Sequence, residues 1–280
     1  MKTNTLTFIG CDAPYKTADI ILFGAPFDGT TSYRPGTRFA PQAIRIDSDG
    51  IETYSPYLDK AIDDIIVSDI GDVDITYGNT INTLNTIQTN VETIINDSKK
   101  PFMIGGEHLV TLPAIKALHK KYQDLIVIQF DAHADLRDTY LKEPLSHATV
   151  IRRIYDLLGD NRIYQFGVRS GLKSEFDFAK KHTTLERFQV NTIDTILPSL
   201  KDVPVYITLD LDVLDPSVMM GTGTPEPGGL TFHELMTAIH KLKNLNIVGC
   251  DVVELSPHYD QSGVSTAVAS KIIRELLLLL

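Results

Sequence analysis

Positive charge is in short supply: the 280 residues hold 26 Lys+Arg against 36 Asp+Glu, a formal net charge of −10. That balance excludes a nucleic-acid binder, because phosphate backbones are held by clustered Lys and Arg. The basic clusters that do occur are short, Lys99-Lys100, His119-Lys120-Lys121 and Lys180-Lys181-His182, and each is expected at a solvated helix terminus. Cysteine is nearly absent. Cys11 and Cys250 lie far apart in the chain and are expected as reduced, partly buried thiols of a cytosolic protein. No apolar run approaches the roughly 20 residues that span a bilayer. The N-terminal MKTNTLTFIG has neither the long apolar segment nor the small-residue cleavage site of a signal peptide. No membrane association is therefore expected, and the expected location is the cytoplasm. Linkers, charge runs and solenoid repeats are also missing, so residues 1–280 are expected to form one domain. Phosphate-cradling loops are missing too. Gly221-Thr222-Gly223-Thr224-Pro225-Glu226-Pro227-Gly228-Gly229 lacks the Gly-Lys-Ser/Thr of a P-loop, and Gly24-Ala25-Pro26-Phe27-Asp28-Gly29 does not match Gly-x-Gly-x-x-Gly.

What is present is an ordinary globular composition, 43% apolar and 22% charged. Short β-branched runs alternate with helical patterns. Ile20–Phe23, Phe102–Ile104, Leu125–Phe130, Arg162–Phe166, Val205–Leu209 and Ile247–Cys250 are continuous apolar runs, as expected of strands covered on both faces. Ile81, Leu84, Ile87, Val91, Ile94 and Ile95 follow the helical period, as do Leu112, Ile115, Leu118 and Tyr122, and Leu235, Ile239 and Leu242. Such alternation predicts an α/β fold, a three-layer α/β/α sandwich around a mostly parallel sheet. The terminal Leu276 to Leu280 are expected only to pack.

Ligands of open α/β sheets sit at the carboxyl ends of the strands, and four predicted strand ends carry chemistry. Gly105-Gly106-Glu107-His108, Asp131-Ala132-His133-Ala134-Asp135, Asp210-Leu211-Asp212 and Asp251-Val252-Val253-Glu254 follow the apolar runs. Residues two apart on an extended segment project to one side, so Asp131, His133 and Asp135 are expected to converge, as are Asp210 and Asp212. With His108 they make four carboxylates and two imidazoles, which would repel severely without intervening cations. Two divalent metals balance the four Asp charges. Carboxylate and imidazole donors without thiolate suit Mn, with Zn, Fe, Co or Ni open, and such a pair acidifies a bridging water. Alone, Asp-x-His-x-Asp reads equally well as a cap and turn cluster. Asp215-Pro216 is expected to be a turn. His147, just before a predicted helix, stays open between a solvated surface group and a proton donor to a leaving amine. Glu107 is expected to point away from His108 and to act behind it.

These motifs, together with Arg34-Pro35-Gly36-Thr37-Arg38-Phe39-Ala40-Pro41, Ser146-His147 and Val253-Glu254-Leu255-Ser256-Pro257, resemble the ureohydrolase family of arginases, agmatinases, guanidinobutyrases and formiminoglutamases. The resemblance covers nearly the whole chain and implies two Mn(2+) ions per subunit. By motif position, His108, Asp131, Asp135 and Asp210 would hold one metal, and His133, Asp131, Asp210 and Asp212 the other. It further implies that His147 shuttles a proton, that Glu254 pairs with a small cationic guanidine substrate, and that the chain forms a homo-oligomer, a trimer or hexamer. Arg137 stands where arginases usually carry Asn, which resembles the agmatinase branch. Ala40, Ala148 and Thr208 depart from the residues many relatives carry. The expected reaction is hydrolysis of agmatine to putrescine and urea by a metal-bridging hydroxide attacking the guanidinium carbon. The alternatives are aminopropylagmatine ureohydrolase, guanidinobutyrase, arginase or formiminoglutamase and, from other classes, a dinuclear metal phosphoesterase or a silent metal-stabilised binding protein.

Overall fold

A strand covered on both faces has no polar side, so unbroken apolar runs separated by helices demand parallel pairing with helices above and below. The computed structural model describes residues 6–280. Its strands are β1 (Ile20–Ala25), β2 (Tyr54–Ser55), β3 (Lys60–Ala61), β4 (Val67–Asp72), β5 (Lys100–Gly105), β6 (Ile126–Phe130), β7 (Ile163–Val168), β8 (Thr184–Arg187), β9 (Pro204–Asp210) and β10 (Asn246–Val253). Its helices are α1 (Ala40–Asp47), α2 (Thr80–Asn96), α3 (Thr111–Lys121), α4 (Val150–Leu158), α5 (Lys173–His182), α6 (Ile193–Leu200), α7 (Phe232–Lys241) and α8 (Val264–Leu277). Eight strands form one sheet in the order β4-β1-β5-β10-β9-β6-β7-β8, and every neighbouring pair is parallel. β2 and β3 make a separate antiparallel hairpin.

Alternate residues of each strand enter opposite layers. Ile20 and Leu22 of β1, Phe102 and Ile104 of β5, and Ile207 and Leu209 of β9 pack with Ile44, Ile239 and Ile273 from α1, α7 and α8. Ile21, Phe23, Met103 and Tyr206 face the other way, onto Ile87, Ile115 and Ile151 from α2, α3 and α4. The expected three-layer α/β/α sandwich is therefore present. Burying each such aliphatic side chain stabilises the layers by about 1.5–3 kcal/mol. Helix α2 starts where Asn79 accepts from the Asn82 N–H at 3.0 Å, a side-chain cap that satisfies one orphan donor.

All six predicted strands form, as do the three predicted helices. The missed strands are the sheet's two edges, β4 and β8, and the short β2–β3 hairpin. Beyond its first two residues β4 alternates between partly buried and exposed positions, so it lacks the apolar run that marked the others. The short α6 was hidden by Pro198 within it. His119-Lys120-Lys121 and Lys180-Lys181-His182 close α3 and α5 as expected. Lys99-Lys100 instead leads into β5, where the Lys100 ammonium donates to the Leu280 carbonyl at 2.5 Å. Leu276, Leu277 and Leu278 are buried, which is the expected packing role. Cys11 and Cys250 are free and fully buried. Among the described residues, no helix is long and apolar enough to cross a membrane.

One buried ionic cluster ties α1 to edge strand β4. The Arg45 guanidinium, 4% exposed, donates to both Asp69 oxygens at 2.8 and 3.0 Å and reaches Asp72. Asp69 also accepts from the Phe8 and Gly71 N–H groups. Asp69→Ala leaves a buried guanidinium half-partnered and is expected to lower unfolding stability by about 3–5 kcal/mol in urea titration. A loss below about 1 kcal/mol would mean that water replaces the carboxylate there.

Candidate metal centre

Strands β5, β10, β9 and β6 are consecutive neighbours at the middle of the sheet, and because all are parallel their carboxyl ends open on one edge. β5 leads to Glu107 and His108, β6 to Asp131–Asp135, β9 to Asp210 and Asp212, and β10 to Glu254. The strand order thus places side by side four segments that are far apart in the chain.

The six residues expected to meet do meet. His108 Nδ1 lies 3.0 Å from Asp131 Oδ2, 3.2 Å from Asp135 Oδ2 and 3.5 Å from Asp210 Oδ2. His133 Nδ1 lies 2.9 Å from Asp212 Oδ2 and 3.6 Å from Asp131 Oδ1. Two triads, His108/Asp131/Asp135 and Asp131/His133/Asp212, each have their ligating atoms within 4.8 Å of one another, with Asp131 common to both. Strand alternation does not produce this convergence. Asp135 takes a left-handed backbone, φ 52°, and Asp212 lies in a 3₁₀ turn, Leu211–Val213. Turns rather than extended chain aim these carboxylates. Glu254 is also left-handed, φ 67°, a conformation that costs a non-glycine residue about 1–3 kcal/mol and clusters at functional sites.

Burial opposes the charges of His108, Asp131, His133, Asp135 and Asp210. Asp135 is pushed up to about 7 by burial and by the Asp131 charge. Asp210 is raised well above the usual carboxylate range by burial and by Asp212 and Asp131. Asp131 is also disfavoured by burial, yet its contacts with His108 and His133 bring it below that range. Burial likewise works against both imidazolium ions, but the facing carboxylates raise His108 and His133 well above the ordinary histidine value. The chain alone keeps the cluster together by holding protons in it. Divalent cations would replace those protons at the same donors.

The buried hydrogen bonds identify which nitrogen of a neutral His108 would be free to act as a ligand. Thr208 Oγ1 donates to Asp251 Oδ1 at 2.6 Å, so its oxygen accepts from His108 Nε2 at 2.9 Å. Asp251 is anchored in turn by the Tyr206 hydroxyl at 2.7 Å and the Thr111 hydroxyl at 2.9 Å. With Nε2 carrying the proton, a neutral His108 presents a bare Nδ1 to three carboxylate oxygens. Among the described residues, that buried Nδ1 has no hydrogen-bond partner. A lone pair and carboxylates converging on one point are the donor set that a divalent metal satisfies, with the second ring nitrogen held from behind. The residues fit the group.

A cleft of about 250 Å³ opens on the cluster, and Ser32, Arg137, Tyr140, His147 and Glu254 contribute to its walls. His147 Nε2 is 3.2 Å from Ser32 Oγ and Nδ1 is 3.3 Å from Ser146 Oγ. Burial, aided by the neighbouring histidines and Arg137, pushes its pKa down to about 4, so the ring is neutral. Glu254 Oε1 accepts from the His108 N–H at 2.8 Å. Arg137 Nε is 3.5 Å from Glu175, and its guanidinium lies 4.7 Å from the Tyr140 ring centroid. Asp215 accepts from the Ser217, Gly228 and Gly229 N–H groups, the expected turn role.

The sequence profile of the arginase family matches residues 18–279. This chain belongs to the arginase family. Over 275 residues it is 47% identical to an agmatinase of Bacillus subtilis, covering 97% of this chain and 95% of that one. Over 288 residues it is 34% identical to a guanidinobutyrase of Pseudomonas aeruginosa, covering 98% and 90%. A crystal structure of a Clostridium difficile protein, provisionally described as an agmatinase, superposes with a TM-score of 0.93 at 54% identity, covering 95% of this chain and 98% of that one.

In this arginase-family site several supporting residues escaped sequence reasoning. Gln129 Nε2 donates to Asp131 Oδ2 at 2.6 Å and is itself held by Gln165 at 2.7 Å. Arg169 donates to the carbonyls of Asp212, Val213 and Glu226, joining a candidate ligand turn to the Gly221–Gly229 loop. Glu175 accepts from the Leu136 and Leu172 N–H groups, and Asp251 anchors Thr208. Gln129, Gln165 and Thr208 did leave a signal, since each interrupts an otherwise apolar strand at a fully buried position.

In metal-stripped protein, Asp135, His108 and His133 hold protons to higher pH when folded than when unfolded, so rising pH favours the unfolded chain. Its Tm is expected to fall as pH rises from about 5 through about 7, where Asp135 gives up its proton, with added manganese restoring more stability at the upper end. A thermal-shift series that is flat or rising would contradict this electrostatic account.

Proposed function

We propose that this chain hydrolyses agmatine to putrescine and urea with a pair of manganese ions. The observation that carries the reading is the unpartnered His108 Nδ1 among three carboxylates, at the floor of a cleft walled by Glu254 and His147. The 47% identity to an agmatinase supports the choice of substrate. His108, Asp131, Asp135 and Asp210 would hold one ion, and His133, Asp131, Asp210 and Asp212 the other. When bound, such a pair supplies positive charge and lowers the pKa of water to give the nucleophile. The same proposal takes residues 1–280 as one catalytic unit, cytoplasmic, and assembled as a trimer or hexamer.

The chain's own residues do the rest. Glu254 spends one oxygen on the His108 N–H and offers Oε2 beside Gly223, where no side chain intervenes. A guanidinium donating to that oxygen is held with its planar carbon over the cluster, and the acidic walls stabilise its charge away from bulk water. As the carbon–nitrogen bond to the tail breaks, the departing amine needs a proton. Neutral His147 relays one that originates in the attacking water. Among the described residues lining the cleft, Arg137 is the sole Lys or Arg, which argues against a phosphoesterase.

One observation favours a second reading. Arg137 at the cleft wall could receive a carboxylate-bearing tail, and one relative is named a guanidinobutyrase, although Glu175 and Tyr140 already engage it. Urea release from the manganese-loaded enzyme decides between them, comparing agmatine, arginine, aminopropylagmatine and 4-guanidinobutyrate. Agmatine is expected to lead by several tens-fold in kcat/KM, about 2–3 kcal/mol of discrimination. A carboxylate-bearing winner would reassign Arg137 to substrate binding, and no urea from any of them would overturn the reaction.

Two variants check the roles. Asp135→Asn is expected to lose one ion by elemental analysis, and full occupancy with full activity would refute it as a ligand. His147→Asn is expected to lower kcat by roughly 10²-fold with metal content intact. A wild-type rate across about pH 7 to 10 would remove the relay.

A further inference from the structure

Glu107 is a carboxylate with no solvent exposure, one residue before His108, and its hydrogen bonds go to the loop that follows β1. Oε2 accepts from the Thr30 N–H at 2.7 Å, and Oε1 accepts from the Thr30 hydroxyl. The Thr31 hydroxyl adds a longer contact at 3.4 Å. The backbones dock at the same place. The Glu107 N–H donates to the Phe27 carbonyl at 2.7 Å, and a Cβ on Gly106 would lie 1.9 Å from that carbonyl oxygen, so only glycine permits the approach.

Thr30 passes this restraint to the cleft. While its proton goes to Glu107, its oxygen accepts from the His147 N–H at 3.1 Å. Two residues further, Ser32 Oγ stands 3.2 Å from His147 Nε2. The same short loop therefore grips His147 at the backbone and at the ring. On the other side the ring meets the Tyr140 ring edge-on, with centroids 5.5 Å apart, and Ser146 Oγ stands 3.3 Å from Nδ1. A buried carboxylate persists only where its oxygens are engaged, and here both engage the one loop that brackets His147.

We infer that Glu107 is a positioning residue for the reaction: through Thr30 and Ser32 it sets where the His147 imidazole stands over the cleft. This rests on the proposal that His147 relays a proton. No contact of Glu107 with substrate is required, and its effect is confined to the rate of the step that His147 serves.

The test is a double-mutant cycle on the manganese-loaded enzyme, with Thr30→Val and Glu107→Gln each made alone and in a His147→Asn background. Thr30→Val keeps the side-chain shape and removes the hydroxyl. It is expected to lower kcat about tenfold or more while KM moves less than about threefold, since small misplacement of a catalytic group acts on the chemical step. Bound metal, measured on every variant, is expected to be unchanged, and Thr30→Ser is expected to recover most of the lost rate. In the His147→Asn background neither Thr30→Val nor Glu107→Gln is expected to slow the enzyme further. Full losses in that background, a change dominated by KM, or metal loss from Thr30→Val would overturn the inference while leaving the relay intact. A His147→Asn enzyme with wild-type kcat would overturn the relay reading and this inference together. Should Glu107→Gln fail to fold, the Thr30 pair completes the cycle.

Discussion

Mutual repulsion among Asp131, Asp135, Asp210 and Asp212 is the constraint on which the centre of this protein depends. All four are at most 7% exposed, and buried like charges at these separations are not tolerated without compensation. The two imidazoles, the hydrogen bond behind His108 and the left-handed backbone at Asp135 all follow from that need. A parallel sheet accommodates it well, because adjoining strands deliver backbone ends, and thus side chains, to one edge. The strand order of β5, β10, β9 and β6 makes the crowding possible and confines it to one place.

Holding such a cluster in a defined geometry requires polar groups inside the apolar layers. The Asp251–Thr208–His108 and Gln165–Gln129–Asp131 relays run through the sheet among Ile, Val and Phe side chains. Each buried polar group is disfavoured unless its partners are present, and here they are. Such relays orient donor atoms more tightly than packing alone. Arg169 does the equivalent for the Asp212 turn by collecting several backbone carbonyls on one guanidinium.

Above this floor the cleft is built from loops, and loops decide which guanidine tail is accepted. Likeness to both an agmatinase and a guanidinobutyrase fits a common floor under variable walls. Arg137, Glu175 and Tyr140 form one wall, and the Thr30–Ser32 loop with His147 forms another. On the proposed reading, the floor would present a planar cation for attack, and the walls would select what that cation is attached to.

Much of this was legible in the chain itself. Continuous apolar runs require strands covered on both faces, so the layer architecture follows from local composition, and the Asp and His residues following those runs mark the site. The residues named as ligands, His147 and Glu254 also follow from motif order. Other features are not local and left no local trace. β4 and β8 are edges with mixed exposure, so no period distinguishes them. The convergence of Asp131 with Asp135 comes from a turn at positive φ rather than from strand alternation, and sequence spacing cannot reveal a backbone dihedral. Arg169, Glu175, the partners of Asp251 and the attachment of Glu107 to Thr30 depend on contacts across 40 or more residues in most cases. The type and number of the candidate donors were therefore legible in the sequence. Their aim, and the partner that orients each, were decided only when the central strands came together in order.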